Sequence, residues 1–379
     1  MTSASHTGVA KSLAERAASH KPNLFAAIGK SAWPIALGLV FAFVMQQLVA
    51  PTASAFHGKL MLDIGIAIMC GVALNIVNGY AGQFSIGHAG FMAVGGYVAA
   101  AIVYYGSIKL WGSRDVHGGF LGSGELLLAT GCVVGGVFAA LTGALVGLPS
   151  LRLRGDYLAI VTLGFGEIVR VLLQQTEDVV RDVKTVQAAS PLELSDNLGG
   201  ALGFFGPYPY LDPKNPFWIW LFVVLVLIVA YRLKYSSKGR QLLAVRENEV
   251  AAEAVGVPTT RVKVSAFITS AFFAGIGGGL YAHELGNSLR PADLGFQKSI
   301  DLVIIVVLGG MGSISGVVVA ATVLTILPEV FREFSEYRMI FYALALILMM
   351  ILRPQGLFGI KELWELSVWR KLFRRGRPS

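Results

Sequence analysis

Long apolar runs dominate this sequence and restrict what it can fold into. Most of them approach the roughly 20 residues that an α-helix needs to cross a bilayer. The runs lie at 32–50, 61–79, 89–105, 126–148, 157–174, 217–233, 264–283, 298–311, 314–330 and 339–353. Because backbone polar groups in lipid must be satisfied within the fold, such runs form helices. The sequence therefore predicts an all-α polytopic membrane protein with about ten transmembrane helices, within a range of eight to ten.

The composition agrees with this class. Hydrophobic residues make up 55% of the chain and charged residues 14%, whereas soluble domains carry about 25% charge. The net charge of +8 does not indicate nucleic-acid binding, because the basic residues lie in loops and tails. Cys70 and Cys132 fall inside apolar runs without the spacing of metal ligands, which favours a packing role and no metal site.

The distribution of Lys and Arg predicts the orientation. Basic residues are more frequent in the segments that lie inside when both termini are cytoplasmic, as the positive-inside rule requires. The prediction is a cytoplasmic tail at 1–31, a transmembrane domain at 32–353 and a basic cytoplasmic tail at 354–379. The run at 298–311 is short and could be a full crossing, a half-helix or a re-entrant segment.

The charge-rich segment 234–263 separates two apolar runs and is predicted to be cytoplasmic. Asn248 is a good N-cap for a short helix over 249–255, and Gly256 is placed to end it. Small apolar residues would then share one side, which suits docking into a groove on a partner protein. A solvated connector between two spans explains the same pattern equally well.

Two uncharged, Gly-rich breaks interrupt the apolar runs at 78–88 and 307–316. Irregular polar backbone at membrane depth is tolerated where it lines a cavity or is packed in protein. The first break could line a transport pathway, or it could be a compact turn in which His88 bonds to nearby backbone. The candidate pathway-lining residues are Asn78, Gln83, Ser85, His88 and Ser313.

Glu167 and Arg170 are spaced to pair on one helix face within a span. Ionisable residues in a span are functional candidates, but a structural ion pair is an equally good interpretation. Asp156, beside Arg152 and Arg154, is predicted to charge the start of the same helix at the inner interface.

Small residues recur every fourth position, and such pairs let helix backbones approach closely in lipid. They occur at Gly131/Gly135, Gly143/Gly147, Gly275/Gly279 and Gly312/Gly316. No Walker A sequence is present, so the chain is not expected to bind ATP by a phosphate loop.

Four blocks, taken together, resemble permeases of the branched-chain amino-acid ABC import family, and among them the LivM type. They are NIVNGYAGQFSIGHAGFMAVGGYVAA at 75–100, RLRGDYLAIVTLGFGEIVRVLL at 152–173, GRQLLAVRENEVAAEAVGVPTTRVKVSAFITSAFFAGIGGGLYA at 239–282 and VIIVVLGGMGSISGVVVAA at 303–321. The ending ILRPQGLFG at 351–359 is also typical of the family. The resemblance covers most of residues 60–360 in the right order.

The resemblance implies a bacterial inner-membrane subunit that imports branched-chain or related amino acids. Its partners would be a second homologous permease, two P-loop ATPases that bind ATP and Mg, and a periplasmic solute-binding protein. The outer loop 175–216 could meet that binding protein or cap the bundle. The segment after 248 would be the ATPase-coupling helix, although the distal Ile-x-Leu-Pro of other ABC importers is absent. Its matching residues are Asn248, Glu249, Ala251, Ala252, Glu253, Ala254 and Gly256.

Two other classes are weighed against this expectation. An ion-coupled secondary transporter of small neutral or zwitterionic solutes would need acids within the membrane, for which Asp63 and Glu167 are the candidates. An intramembrane enzyme would need a nucleophile with a base, or a metal set. His283-Glu284 does not extend to HExxH, so the sequence predicts a non-catalytic chain without a cofactor of its own.

Overall fold

The computed structural model describes residues 24–49, 51–52, 54–113, 117–151, 157–204, 215–284, 289–331 and scattered positions between 340 and 363. Within these residues the fold is helical, and the only β contact is an isolated bridge between Phe204 and Leu289. The predicted all-α class is therefore confirmed for the described part. The N-terminal tail up to residue 23, positions 152–156 and most of the run at 339–353 lie outside it.

Twelve α-helices are described in order along the chain. They are α1 Leu24–Val44, α2 Ala55–Asn75, α3 His88–Trp111, α4 Ser123–Ser150, α5 Tyr157–Gln174, α6 Val183–Ala188, α7 Phe217–Tyr235, α8 Ser237–Glu247, α9 Glu249–Ala254, α10 Thr259–Glu284, α11 Phe296–Gly309 and α12 Ile314–Val330. Short π-helical turns extend α1 and α2 at their C-terminal ends.

Six helices in the described part are long and apolar enough to cross a membrane, namely α2 with its π-helical extension, α3, α4, α5, α7 and α10. Two shorter apolar helices cover 34–48 and 314–330. The helix α11 has 14 residues and is about 21 Å long at 1.5 Å per residue. It is too short to cross the roughly 30 Å hydrocarbon core alone, so a crossing here would also need the chain before it.

Helices α3, α4 and α10 pack tightly through facing glycines. A Cβ atom on Gly95 would lie 2.3 Å from Gly275 Cα, and one on Gly135 would lie 2.4 Å from the Gly95 carbonyl oxygen. A Cβ on Gly278 would lie 1.9 Å from the carbonyl oxygen of Met92. The predicted role of the pairs at 131/135 and 275/279 in close helix packing is thus observed, and these three helices form the rigid centre of the fold.

Helix α2 joins this centre to a second group of helices. It packs on α10 and also on α7, α11 and α12, while α1 packs on α7. Ser270 on α10 donates a hydrogen bond to the Ala73 carbonyl of α2 at 2.6 Å. The buried side chains of both groups form one continuous core.

The bundle has two distinct ends. At one end, which we call the α8–α9 end, α8 meets the break after α2 and the turn between α11 and α12, and α9 packs on α8 and α10. At the other, the loop end, Tyr105 donates to the Asn197 carbonyl and Lys109 to the Ala189 carbonyl. Both ends are thus closed by side-chain to backbone hydrogen bonds across elements that are distant in the sequence.

Candidate functional site

The short helix α9 begins and ends as its sequence predicts. Asn248 has extended backbone, and its side-chain oxygen accepts a hydrogen bond from the Ala251 N–H at 3.0 Å. Gly256 has a φ of +84°, and the N–H of Val257 bonds back to the Ala252 carbonyl. This is the left-handed glycine stop that ends many helices. Both ends are therefore fixed by local contacts.

Two side-chain contacts hold α9 against α10. The Lys263 ammonium lies 2.6 Å from Glu249, and the Thr259 hydroxyl donates to Glu253 at 2.8 Å. Ala252 is buried, with 3% of its surface exposed, so it faces the chain's own bundle. Val250 and Val255 point the other way, with 62% and 80% exposed, and Ala251 and Ala254 are exposed with them. The helix therefore presents a small apolar face outward.

Arg246, near the end of α8, connects this segment to both Gly-rich breaks. Its Nη1 donates to the Gly79 carbonyl at 2.7 Å and to the Met311 carbonyl at 3.3 Å. Its alkyl chain lies where a side chain on Gly82 would be. A movement of α8 and α9 would therefore also displace the backbone at 79–82 and at 310–312.

The first break folds into a compact, hydrogen-bonded turn. The Asn78 side chain accepts from the Ser85 N–H at 3.1 Å, and Gln83 donates to the Ala81 carbonyl at 3.3 Å. His88 begins α3, is buried and interacts with the Cys70 carbonyl of α2, while its Nε2 has no hydrogen-bond partner in the described residues. These contacts match the turn interpretation, and a role in lining the pathway stays a prediction.

The second break is held by polar contacts at the start of α12. The Ser313 hydroxyl caps this helix by accepting from the Gly316 N–H at 3.1 Å, and Asn75 accepts from the Gly312 N–H at 2.8 Å. Ser313 is fully buried, so it supports the helix start. A role for it in the pathway is likewise still a prediction.

The buried Glu362 carboxylate makes further contacts at the start of α12. It pairs with Lys234 of α7 and accepts from the Ser315 hydroxyl at 2.6 Å and from the Ile314 N–H at 3.0 Å. Burial by itself would raise the pKa of this carboxyl. The hydrogen bonds from Lys234, Ser315 and the backbone outweigh burial and hold the pKa below its ordinary value.

Glu167 and Arg170 form the predicted ion pair on α5. Their side chains meet at 2.7 Å and are each about one-third exposed. Glu167 also accepts a hydrogen bond from the N–H of Phe296, the first residue of α11. The pair thus ties α5 to the start of α11, and a functional role for it stays a prediction.

A polar cavity lies between α2, α3, α10, α11 and α12. Its volume is about 480 Å³, within the range of small-molecule sites. The charged residues in its wall are Asp63, Lys298 and Asp301, beside the hydroxyls of Tyr281 and Thr325. The break residues discussed above do not line it.

Comparison with known proteins assigns the chain to a family. Residues 58–352 match the family model described as "Branched-chain amino acid transport system / permease component". The chain belongs to this permease family. It is 39% identical over 334 residues to the high-affinity branched-chain amino acid transport system permease protein LivM of Salmonella typhimurium, a match that covers 83% of this chain and 74% of that protein.

Two further relatives agree. LivM of Escherichia coli is 39% identical over 306 residues, covering 77% of this chain and 67% of the relative. The LivH permease protein of Escherichia coli is 23% identical over 324 residues, covering 85% and 97%. No solved structure shows significant similarity to the permease. The family and the six long apolar helices together indicate a multi-pass membrane protein.

Sequence reasoning missed three features of the permease. Arg246 and Glu362 lie in charge-rich stretches where no pattern marks them as partners of distant carbonyls and of Lys234. The cavity was missed because Asp63, Lys298 and Asp301 are far apart in the sequence or lie at a run boundary. The sequence did carry a signal for Lys298 and Asp301, since charged residues are unusual in an apolar helix.

Proposed function

We propose that the permease is the LivM-type membrane subunit of an ABC importer that moves branched-chain or related amino acids across the bacterial inner membrane. It performs no bond chemistry and binds no cofactor itself. Separate ATPase subunits would bind ATP and Mg and transmit the energy of hydrolysis through the segment around α9. The sequence similarity to LivM over most of the chain supports this assignment.

The partners follow from the same similarity. A second, LivH-like permease would complete the transport pathway, because relatives of both types match this chain. Two P-loop ATPases would dock at the α8–α9 end, and a periplasmic solute-binding protein would deliver the amino acid at the loop end. Both termini of the permease would then lie in the cytoplasm.

The observation that carries the proposal is the outward face of α9. An exposed surface of Val250 and Val255 on a capped helix is suited to a groove in a partner, because small side chains permit close approach. The contacts Glu249–Lys263 and Glu253–Thr259 fix this helix to α10. A push on α9 would therefore reach a long helix of the rigid centre instead of bending a loop.

The test is purification of the tagged permease from its native membrane, with the partners identified by mass spectrometry. We expect the parent chain to carry a second permease and two ATPases, and Val255→Glu to lose the ATPases while keeping the second permease. Leu192→Glu, which changes an equally exposed residue at the loop end, is the matched control and should keep all partners. ATPases retained by Val255→Glu would contradict docking on this face.

An ion-coupled secondary transporter is the second candidate function. The observation in its favour is the cavity, which brings Asp63 and Asp301 together within the helical bundle. Uptake into proteoliposomes separates the two functions. Uptake that requires ATP and the ATPase subunits supports the importer, whereas uptake by the permease alone on a proton or sodium gradient supports the carrier.

A further inference from the structure

The polar cavity between α2 and α11 carries charges of both signs in separate positions. Lys298 lies in the first turn of α11, while Asp63 is on α2 and Asp301 one turn further along α11. Glu284, at the end of α10, interacts with both Asp63 and Lys298. The cavity wall thus has one cationic group and two carboxyl groups, with a third carboxyl group nearby, within a mostly apolar bundle.

Lys298 is not neutralised by direct contact. Its ammonium lies 5.0 Å from the centre of the Tyr281 ring, a cation–π distance. Within the part of the chain that the structure describes, no carboxylate oxygen comes within 4 Å of it. It also stands at the start of α11, where the helix dipole adds positive potential. This end of the cavity is consequently suited to an anionic oxygen.

The position of α11 is fixed on both sides of this group. The Ser299 hydroxyl accepts a hydrogen bond from the Ala89 N–H of α3 at 3.1 Å, and the Phe296 N–H is held by Glu167. Lys298 is therefore carried on an anchored helix start. Such preorganisation reduces the cost of placing a charge for a ligand.

Beside the charged groups, the Gln297 amide and the Tyr281 and Thr325 hydroxyls, much of the wall is aliphatic. Ile66 and Ala67 of α2, Leu302 and Ile305 of α11 and Leu324 of α12 all line it. These aliphatic side chains match a branched hydrocarbon group. No three His, Cys, Asp or Glu side chains among the described residues are placed to hold a metal ion.

We propose that this cavity is a transit site for a zwitterionic α-amino acid with an aliphatic side chain. Lys298 and the start of α11 receive the carboxylate, Asp63 and Asp301 receive the ammonium, and the aliphatic wall receives the side chain. A wall with charged groups of both signs beside aliphatic side chains fits such a zwitterion better than a sugar or a neutral amide. This inference rests on the proposed function and assigns its substrate contacts to this subunit.

The experiment is substrate protection of a thiol placed in the cavity wall. Thr325→Cys is made in a Cys70→Ala, Cys132→Ala background, and the complete importer without its binding protein is placed in nanodiscs. L-leucine is expected to slow labelling of the introduced thiol by N-ethylmaleimide. Isopentylamine and 4-methylpentanoate, which each lack one of the two charges, are expected to protect at least about tenfold more weakly, because a charged hydrogen bond is lost.

Three variants in that background decide the assignment. Lys298→Gln and Asp301→Asn should each raise the leucine concentration needed for half protection by about tenfold. Lys298→Arg, which keeps the charge, should protect nearly as well as the parent. Lys184→Gln, an exposed lysine on α6, is the matched control and should change nothing.

The outcomes separate this inference from the proposed function. If the parent importer takes up leucine with ATP but leucine never protects the thiol, or protects it equally in Lys298→Gln, the transit site is wrong and the importer stands. If the parent importer takes up no amino acid, the proposed function and the transit site are both contradicted.

Discussion

The Arg246 guanidinium donates a hydrogen bond to the carbonyl oxygen of Gly79 at 2.7 Å. It thereby joins α8, next to the proposed coupling helix, to the end of a helix that also borders the cavity. The same nitrogen also donates to the Met311 carbonyl, so one side chain is hydrogen-bonded to both Gly-rich breaks. If ATPase movement is transmitted through α9, this contact offers a direct connection from the adjoining α8 to the ends of α2 and α11.

We expect Arg246→Ala to reduce ATP-driven uptake by about tenfold, because charged hydrogen bonds of this kind contribute roughly 1.5–3 kcal/mol each. The ATPases should still co-purify, since the outer face of α9 is untouched. The measurement is uptake in proteoliposomes beside partner recovery. Arg240→Ala is the control on the same helix, because Arg240 is exposed and bonds within its own turn to Ser237. Parent-level uptake by Arg246→Ala would contradict a role for Arg246 in transmitting movement from the ATPases.

The glycine contact between α3 and α10 predicts a sharp steric effect. Gly95→Ala places a methyl group 2.3 Å from Gly275 Cα and should destabilise the protein by about 2 kcal/mol through overpacking. Gly164→Ala on α5 has nothing within 4 Å and should stabilise it by up to about 1 kcal/mol, the helix-propensity difference. Thermal unfolding in detergent tests both changes. Equal midpoints for the two variants would contradict the packing described here.

The Glu362 carboxylate predicts a pH dependence of stability. Its pKa is depressed in the folded protein, so the unfolded chain binds the proton more tightly. The stabilisation is then complete above the ordinary glutamate pKa of 4.5 and is lost as the pH falls through the depressed value.

We expect Glu362→Gln to lower stability at neutral pH by about 3 kcal/mol, because the variant leaves Lys234 buried without its charge partner. The difference from the parent should shrink at a pH well below the ordinary glutamate pKa of 4.5. Thermal unfolding at both pH values is the measurement. A difference that is constant with pH would mean that shape, and not charge, explains the loss.

The left-handed glycine after α9 predicts a graded series. At Gly256 the surrounding space is open, so only the φ of +84° opposes a side chain. Gly256→Ala should cost about 1 kcal/mol and Gly256→Asn less, because Asn tolerates this region. Gly256→Pro should abolish ATP-driven uptake, since it fixes φ near −65° and removes the N–H that bonds to the Glu253 carbonyl. Uptake in the order Gly, Asn, Ala, Pro is expected, and full uptake by Gly256→Pro would contradict it.

Features set by local chemistry were predictable from the sequence. The Asn248 cap, the Gly256 stop and the Glu167–Arg170 pair depend on residues within a few positions of each other. The positions of the six long apolar helices were also predictable, because each coincides with a local apolar run. The predicted count of ten spans and the orientation of the termini stay predictions.

Features set by contacts between distant segments were not predictable. The pattern of α9 suggested one face of small residues, but which side the bundle buries depends on Glu249 meeting Lys263 and on Ala252 packing inward. The cavity depends on α2 lying beside α11, although Asp63 and Lys298 belong to different runs. Nothing in either run specifies its neighbour.

The bond between Lys234 and Glu362 has a consequence for biosynthesis. The two residues are 128 positions apart, so a ribosome adding about 5–20 residues per second makes the lysine roughly 6–25 s before the glutamate. During that interval α10, α11 and α12 are synthesised while Lys234 still lacks this counter-charge. The contacts of Glu362 at the start of α12 can therefore form only after α1 to α12 have all been synthesised.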